Sequence, residues 1–335
     1  CAGSLRMHPS VSVITPIYNT AAYLEKCLGS LIRQTLPGIE LIWVDNGADE
    51  QCRRILQQHQ NLRPGIKVIH LPENRGYSGA MNAGLEQASG KYVGFVDSDD
   101  WVDDDYFEEL YRCAEENGCD IVYTNYQTVS DGQCRLFPHR TGEKSVSGLR
   151  PQIETLKNGA VWDKIYRRSI IEQHHLRFSA DRGSYFQDNV FLLQTVFYAS
   201  GMRLTEKPYY WYRQNPASLM HNAEDDLPRL TYALTVIKYL LDHAAAKKFS
   251  ADETASLLQF LNRSLPVYSL LGHPELRKKL FTLLTPFQSF VKELENSRIA
   301  LYPSLAERFF SACRHNGRKV VRFLGLTFKI TQRSK

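Results

Sequence analysis

Apolar positions along the first 125 residues switch repeatedly between two spacings. Val11-Ser12-Val13-Ile14 reads as a buried strand stopped by Pro16. Ala22 to Ile32 then sets Tyr23, Leu24, Cys27, Leu28, Leu31 and Ile32 on one helical stripe. The same switching predicts strands over Ile39–Val44, Ile66–Leu71, Tyr92–Val96 and Asp120–Tyr126. Between them it predicts helices over Asp49–His59, Ser78–Ala88 and Asp104–Asn117. Strands joined through helices need crossover connections, so the expected fold is α/β, a doubly wound, mostly parallel sheet with helices on both faces. Residues 127–148 are polar, with Gly, Ser and Pro, and read as a variable loop. Beyond about Asn222 the pattern turns helical, for instance over Leu227–Leu241 and Leu276–Leu294. The expected division is a sheet-bearing domain over 10–220, a helical region over 221–312 and a tail over 313–335.

Composition narrows the class. With 335 residues, 43% hydrophobic and 23% charged, the chain is globular in character. No apolar run approaches the roughly 20 residues of a spanning helix, so an integral membrane protein is not expected. Residues 1–10 lack the apolar stretch of a secretory leader and do not begin with Met. Seven cysteines without a C-x-x-C pair give no disulfide or zinc framework, and a cytoplasmic location is expected. The formal charge is +5, but the last 25 residues hold seven basic and no acidic side chains, which leaves −2 for everything before them. No nucleic-acid partner is expected for such a body. In the tail, Arg318–Arg322 precedes Phe323, Leu324, Leu326, Phe328 and Ile330. That mixture suits peripheral contact with an anionic membrane; a solvated terminus or a β-hairpin is the alternative.

Open α/β sheets bind ligands beyond the carboxyl ends of their strands, and three of these ends are polar. They are Thr15-Pro16-Ile17-Tyr18-Asn19, Asp45-Asn46-Gly47 and Asp97-Ser98-Asp99-Asp100. Asp97 and Asp99 offer two carboxylates for a hard divalent cation, Mn²⁺ or Mg²⁺, with positions left open for phosphate oxygens. Equally, Asp99, Asp100, Asp103 and Asp104 could cap the following helix. A third use of D-x-D, as the nucleophile motif of haloacid-dehalogenase-type phosphatases, wants Thr or Val where Trp101 stands.

Taken in order, Val11–Asn19, Val44–Asp49, Asn74-Arg75-Gly76-Tyr77-Ser78-Gly79-Ala80-Met81-Asn82-Ala83-Gly84 and Asp97–Asp100 resemble family 2 inverting glycosyltransferases of the GT-A fold, of the bacterial surface-glycan type. The resemblance continues through Trp162-Asp163-Lys164 and Gln187-Asp188-Asn189-Val190-Phe191 to Tyr212-Arg213. It implies a UDP-sugar donor and a glycan or lipid-linked glycan acceptor, as in lipopolysaccharide, capsule or O-antigen synthesis. Pro16, Tyr18 and Asp45 would lie along the nucleotide base, with Asp45 accepting from the uracil imide. Core packing for Tyr18 and turn formation for Asp45 are the plainer uses. Asn74, Gly76, Asp97 and Ser98 would line the sugar diphosphate.

Met81 departs from the family, which often has Arg there; Arg75, Lys164 and Arg213 are the replacement contacts considered. Asp188 would be the general base, or else the N-cap of a helix over Asn189–Ala199. Gln187 stands where the family usually has Glu, so Asp188 is expected to titrate lower than in a paired site. Trp162, Tyr209, Tyr210, Trp211 and Tyr212 could stack on an acceptor sugar or simply pack. The helical region would frame the acceptor cleft or mediate homo-oligomer formation. The rival reading is a catalytically silent carbohydrate-binding or scaffold protein, which Met81 and Gln187 favour.

Overall fold

Alternate residues of a strand face opposite sides, and here both sides are apolar. In strand β1 (Val11–Ile17), Val11, Val13 and Ile17 enter one core while Ile14 enters the other. Strand β2 (Glu40–Asn46) repeats this, with Leu41 and Trp43 on one side and Ile42 and Val44 on the other. The first core lies under helices α1 (Ala21–Ile32), α2 (Glu50–His59) and α4 (Tyr106–Asn117). The second lies under α3 (Gly76–Gln87) and α7 (Gln187–Val196). This computed structural model describes residues 9–130, 132–138, 145–156, 159–179, 186–214 and 227–265, with 275, 276, 279 and three short strands near the C-terminus.

β3 (Ile66–Leu71), β2, β1 and β4 (Tyr92–Phe95) form the parallel half of a ten-stranded sheet. The order then continues β9 (Lys164–Arg167), β6 (Ile121–Ser130), β10 (Gly201–Arg213) and β5 (Trp101–Val102). β9 runs antiparallel to both its neighbours, so the sheet is mixed beyond β4.

Two expectations are corrected. Pro16 does not stop β1, which runs on to Ile17. The Ile14 carbonyl, two residues earlier, accepts from Val96 N–H on the β4 side (3.0 Å). Pro16 faces that same side where β4 has ended, and its missing N–H breaks no ladder bond. Nor is 127–148 simply a loop. β6 extends to Ser130 and pairs antiparallel with β7 (Gln133–Phe137), Ser130 opposite Gln133, with Gly132 at φ +76° in the turn. The Asp131-Gly132 pair is a two-residue hairpin signal that polarity alone obscures. β8 (Ser145–Ser147) adds to β10.

Helices α8 (Leu227–Ala246) and α9 (Ala251–Ser264) share the core of Ile14, Phe95 and Phe191 through Leu230, Leu234, Ile237, Leu257 and Phe260. A capping box of Ser250 and Glu253 starts α9. Arg150 and Glu154 of α5 (Leu149–Thr155) bond Asp252 and Ser256 of α9 at 2.8 and 2.9 Å. The helix expected over 276–294 lies almost wholly outside the described residues. The basic tail forms a three-stranded antiparallel meander, β11 (Ser311–His315), β12 (Arg318–Phe323) and β13 (Leu326–Lys329). Among the described residues no helix is long and apolar enough to cross a membrane.

Candidate active site

The carboxyl rim of the parallel strands gathers the polar residues. After β1, Tyr18 is 45% exposed, which excludes its use as a core aromatic, and Pro16 is half-buried beside it. Asp45, at the end of β2, is enclosed. Its Oδ1 accepts from Ala48 N–H (2.8 Å), and its Oδ2 from Arg53 Nε (3.1 Å) and His70 Nδ1 (2.9 Å). Burial works to raise this carboxyl, yet the His70, Ala48 and Arg53 hydrogen bonds outweigh it and hold the group below its usual range.

The next two loops are fastened to each other. Asn46 Nδ2 donates to Asn74 Oδ1 (3.0 Å) and to the Gly76 carbonyl (3.1 Å), while Asn46 Oδ1 accepts from Arg75 N–H. A Cβ on Gly47 would lie 2.6 Å from Asn74 N, so the loops meet this closely only because that side chain is absent. Asn74 Oδ1 also accepts from Gly76 N–H (2.7 Å), shaping the turn into α3.

Carboxylates crowd the end of β4. Tyr77 donates to Asp97 Oδ1 (3.3 Å) and also bonds Asp188, so its hydroxyl stands between the two acids. Burial, then Asp188 and Asp99, push the Asp97 carboxyl well up despite the Tyr77 bond. Burial, Asp99 and Asp97 do the same to Asp100. Capping does not explain this group. Asp100 accepts from Tyr210 Oη (2.8 Å) and Arg213 N–H (2.7 Å), and Asp103 from Tyr209 N–H (2.8 Å) and Trp211 Nε1 (2.7 Å). Helix α4 begins later, after Asp105, whose side chain makes no cap. Tyr210 also accepts the Asp97 N–H (3.1 Å), so β10 pins the acidic loop at several points. Ser98 is buried and accepts from Thr20 Oγ1 (2.9 Å). Arg213 donates from Nε to the Asp99 carbonyl (2.9 Å) and lies over the rings of Tyr23 and Trp101, while Lys26 Nζ sits 3.2 Å from the Trp101 centroid.

Asp188 lies in the first turn of α7, not at its N-cap, which is Phe186. Its Oδ1 is enclosed without a hydrogen-bond partner. Burial raises its carboxyl to about 7, against the attraction of Lys164 and the Tyr77 bond and with the repulsion of Asp163. Desolvation thus sets the level from which the missing Glu at 187 would be felt, and the comparison with a paired site rests on a Gln187→Glu variant. Gln187 is buried and accepts from Ser78 Oγ, where a second carboxylate would add charge.

Lys164 corrects another expectation. It has no exposed surface, and its Nζ is taken by Asp163 and the Ala160 carbonyl (2.8 Å), so it is neither a phosphate contact nor a surface cation. Its charge instead stands behind Asp188. Met81 is fully buried in the core, so this position makes no diphosphate contact in this chain. Trp162 packs between Tyr210 (4.3 Å) and Tyr212 (5.3 Å), and its role is packing. Tyr209, Trp211 and Tyr212 keep part of their surface open. Sequence reasoning missed Tyr77, Asn46 and His70 as site residues, and it offered Tyr210 as a stacking or packing ring where the structure bonds it to the acidic loop; Tyr77 and Asn46 lie inside motifs already quoted, so position within a motif was the available signal.

Among the described residues no three His, Cys, Asp or Glu side chains gather as a closed metal site. Asp97 and Asp99 nevertheless fit a hard cation. They are oxygen donors, two in number; burial, then the charges of Asp188 and Asp99, disfavour an ionised Asp97, and a bound cation would offset that.

Comparison with known proteins gives the family and the fold. The sequence model described as glycosyl transferase family 2 matches residues 12–210. The uncharacterized glycosyltransferase EpsJ of Bacillus subtilis (strain 168) is 34% identical over 220 residues, 64% of this chain and 63% of that protein. Glycosyltransferase GlyA of Streptococcus pneumoniae serotype 4 is 28% identical over 337 residues, 90% of this chain but 47% of its own length. The chain thus spans about half to two-thirds of these curated relatives. Among solved structures, S. aureus TarS 1–349 in complex with UDP-GlcNAc aligns with a TM-score of 0.60 at 19% identity, over 96% of this chain and 99% of that one.

Proposed function

The chain belongs to glycosyl transferase family 2, and we propose that it moves a hexose or N-acetylhexosamine from a UDP-sugar to a hydroxyl of a growing bacterial surface glycan, with inversion at the anomeric carbon. The observation that carries this reading is Asp188: a carboxylate with a proton affinity near neutrality and one unpartnered oxygen, beside the acids at the end of β4. The nucleotide base lies at the Tyr18–Asp45 end and the diphosphate between the start of α3 and Asp97-Ser98-Asp99, with Arg213 completing that side. Asp97 and Asp99 would hold Mn²⁺ or Mg²⁺, which when bound supplies positive charge to the departing diphosphate.

The acceptor oxygen attacks the anomeric carbon opposite the UDP oxygen. The new C–O bond forms as the C–O bond to phosphate breaks, and the acceptor proton passes to Asp188. A positioned base of this kind contributes about 10²–10⁴-fold. Tyr77 orients Asp188 and Asp97 together, and Trp211 and Tyr212 offer ring faces to the acceptor. A cytoplasmic location would meet such an acceptor at the inner leaflet. The seven basic residues of the tail suit contact there, tested by co-sedimentation with anionic vesicles of the chain with and without residues 311–335.

The test of the reaction is UDP release across a panel of UDP-sugars with a glycan acceptor, with and without Mn²⁺. Asp188→Asn should lower kcat at least 10²-fold with the donor's affinity little changed. An unaltered rate in that variant would remove the base from the mechanism.

A further inference from the structure

We propose that His70 reads the nucleotide base of the donor: its imidazole, held by Asp45, presents Nε2 as the hydrogen-bond acceptor for the imide N–H of uracil. The inference rests on the UDP-sugar reading and deepens it.

Register supplies the placement. Ile17 pairs with Asp45 and Asp45 with His70, so the carboxyl ends of β1, β2 and β3 bring His70 into line with Asp45 and with the start of the Tyr18 loop. Burial decides which of these groups a base would meet. The Asp45 side chain is 1% exposed and already accepts three hydrogen bonds, whereas the His70 side chain is 62% exposed. A planar base stacked on Tyr18 encounters the imidazole before the carboxylate.

Hydrogen-bond chemistry then fixes the polarity of the contact. An ionised Asp45 can only accept, so the proton between it and His70 sits on Nδ1. In the neutral ring Nε2 is left with a lone pair and, among the described residues, no hydrogen-bond partner. Uracil offers an N–H at N3, which that lone pair accepts. Cytosine offers a bare N3, and two acceptors repel, so the arrangement selects by refusal as well as by contact.

Calorimetric titration of the full chain with UDP and with CDP, at pH 8, tests this in the native protein, His70→Asn and His70→Gln. Asn places a donor near the Nδ1 position, keeping a partner for Asp45, but ends short of the base; Gln reaches the Nε2 position. The expected result is native preference for UDP over CDP. His70→Asn should lose about five- to tenfold in UDP affinity with CDP affinity unchanged, and His70→Gln should recover most of the loss. If His70→Asn keeps native UDP affinity and selectivity, His70 is not the reader, while the uridine donor stands. Equal loss of UDP and CDP binding would make the residue structural and overturn the proposal. A native protein that binds UDP no better than CDP would remove the donor reading and this inference with it.

Discussion

An enclosed carboxyl oxygen with no donor is costly while charged, and Asp188 Oδ1 is such an oxygen. The consequence runs in two directions. For the reaction, the base works only when ionised, so kcat/KM of the native enzyme should rise about tenfold per pH unit below about 7 and level off above it. For stability, a carboxyl raised from 3.8 to about 7 means that the folded state keeps a proton the unfolded state has released. Its contribution is therefore present below about pH 4 and declines as pH rises towards 7. Lys164 offsets this from beneath, paired with Asp163 where neither side chain is exposed. Lys164→Met should move the acidic limb of the pH–rate profile upward, and should cost about 3–5 kcal/mol by leaving Asp163 unpaired. The double variant Asp163→Asn/Lys164→Met should regain much of that stability in a denaturant titration. An acidic limb that does not move in Lys164→Met would show that this ion pair is only structural.

Helix α3 approaches β1 closely because Gly84 has no side chain: a Cβ there would lie 2.4 Å from Ile14 Cγ2. Gly84→Ala should therefore destabilise by roughly 1–3 kcal/mol, read from urea unfolding, despite its better helix propensity. Such contacts mark the border of what a sequence discloses. The parallel half of the sheet was legible because its strands are apolar on both faces and its helices have one apolar stripe, as in Val11–Ile17 and α1. The rim was legible because polar residues such as Asp45 and Asp97 break those runs at one end. Antiparallel β9 was not, since Lys164-Ile165-Tyr166-Arg167 is a four-residue run whose two neighbours come from distant parts of the chain. Burial was the other hidden quantity. Lys164 and Met81 occupy motif positions, yet one is enclosed with Asp163 and the other packs in the core, which no local pattern reveals.

At the scale of the whole chain, α8 and α9 fill the same core as the sheet, so residues 9–220 do not carry all of their own apolar lining. A chain ending at 220 should expose the surfaces that cover Leu230, Ile237 and Phe260. It should lose the cooperative unfolding transition that the full chain shows by calorimetry; an intact, sharp transition would make the helical region a separate unit. The pinning of the acidic loop by Tyr210 and Arg213 spans more of the chain than any motif does. While the polypeptide is still emerging from the ribosome, its Asp97-Ser98-Asp99 stretch is synthesised more than a hundred residues before the strand that fastens it. Premature termination products thus contain every acidic ligand of that loop but lack its clasp. On the reading proposed above, a chain that ends before Tyr210 would hold no donor, so sugar transfer waits on the synthesis of β10.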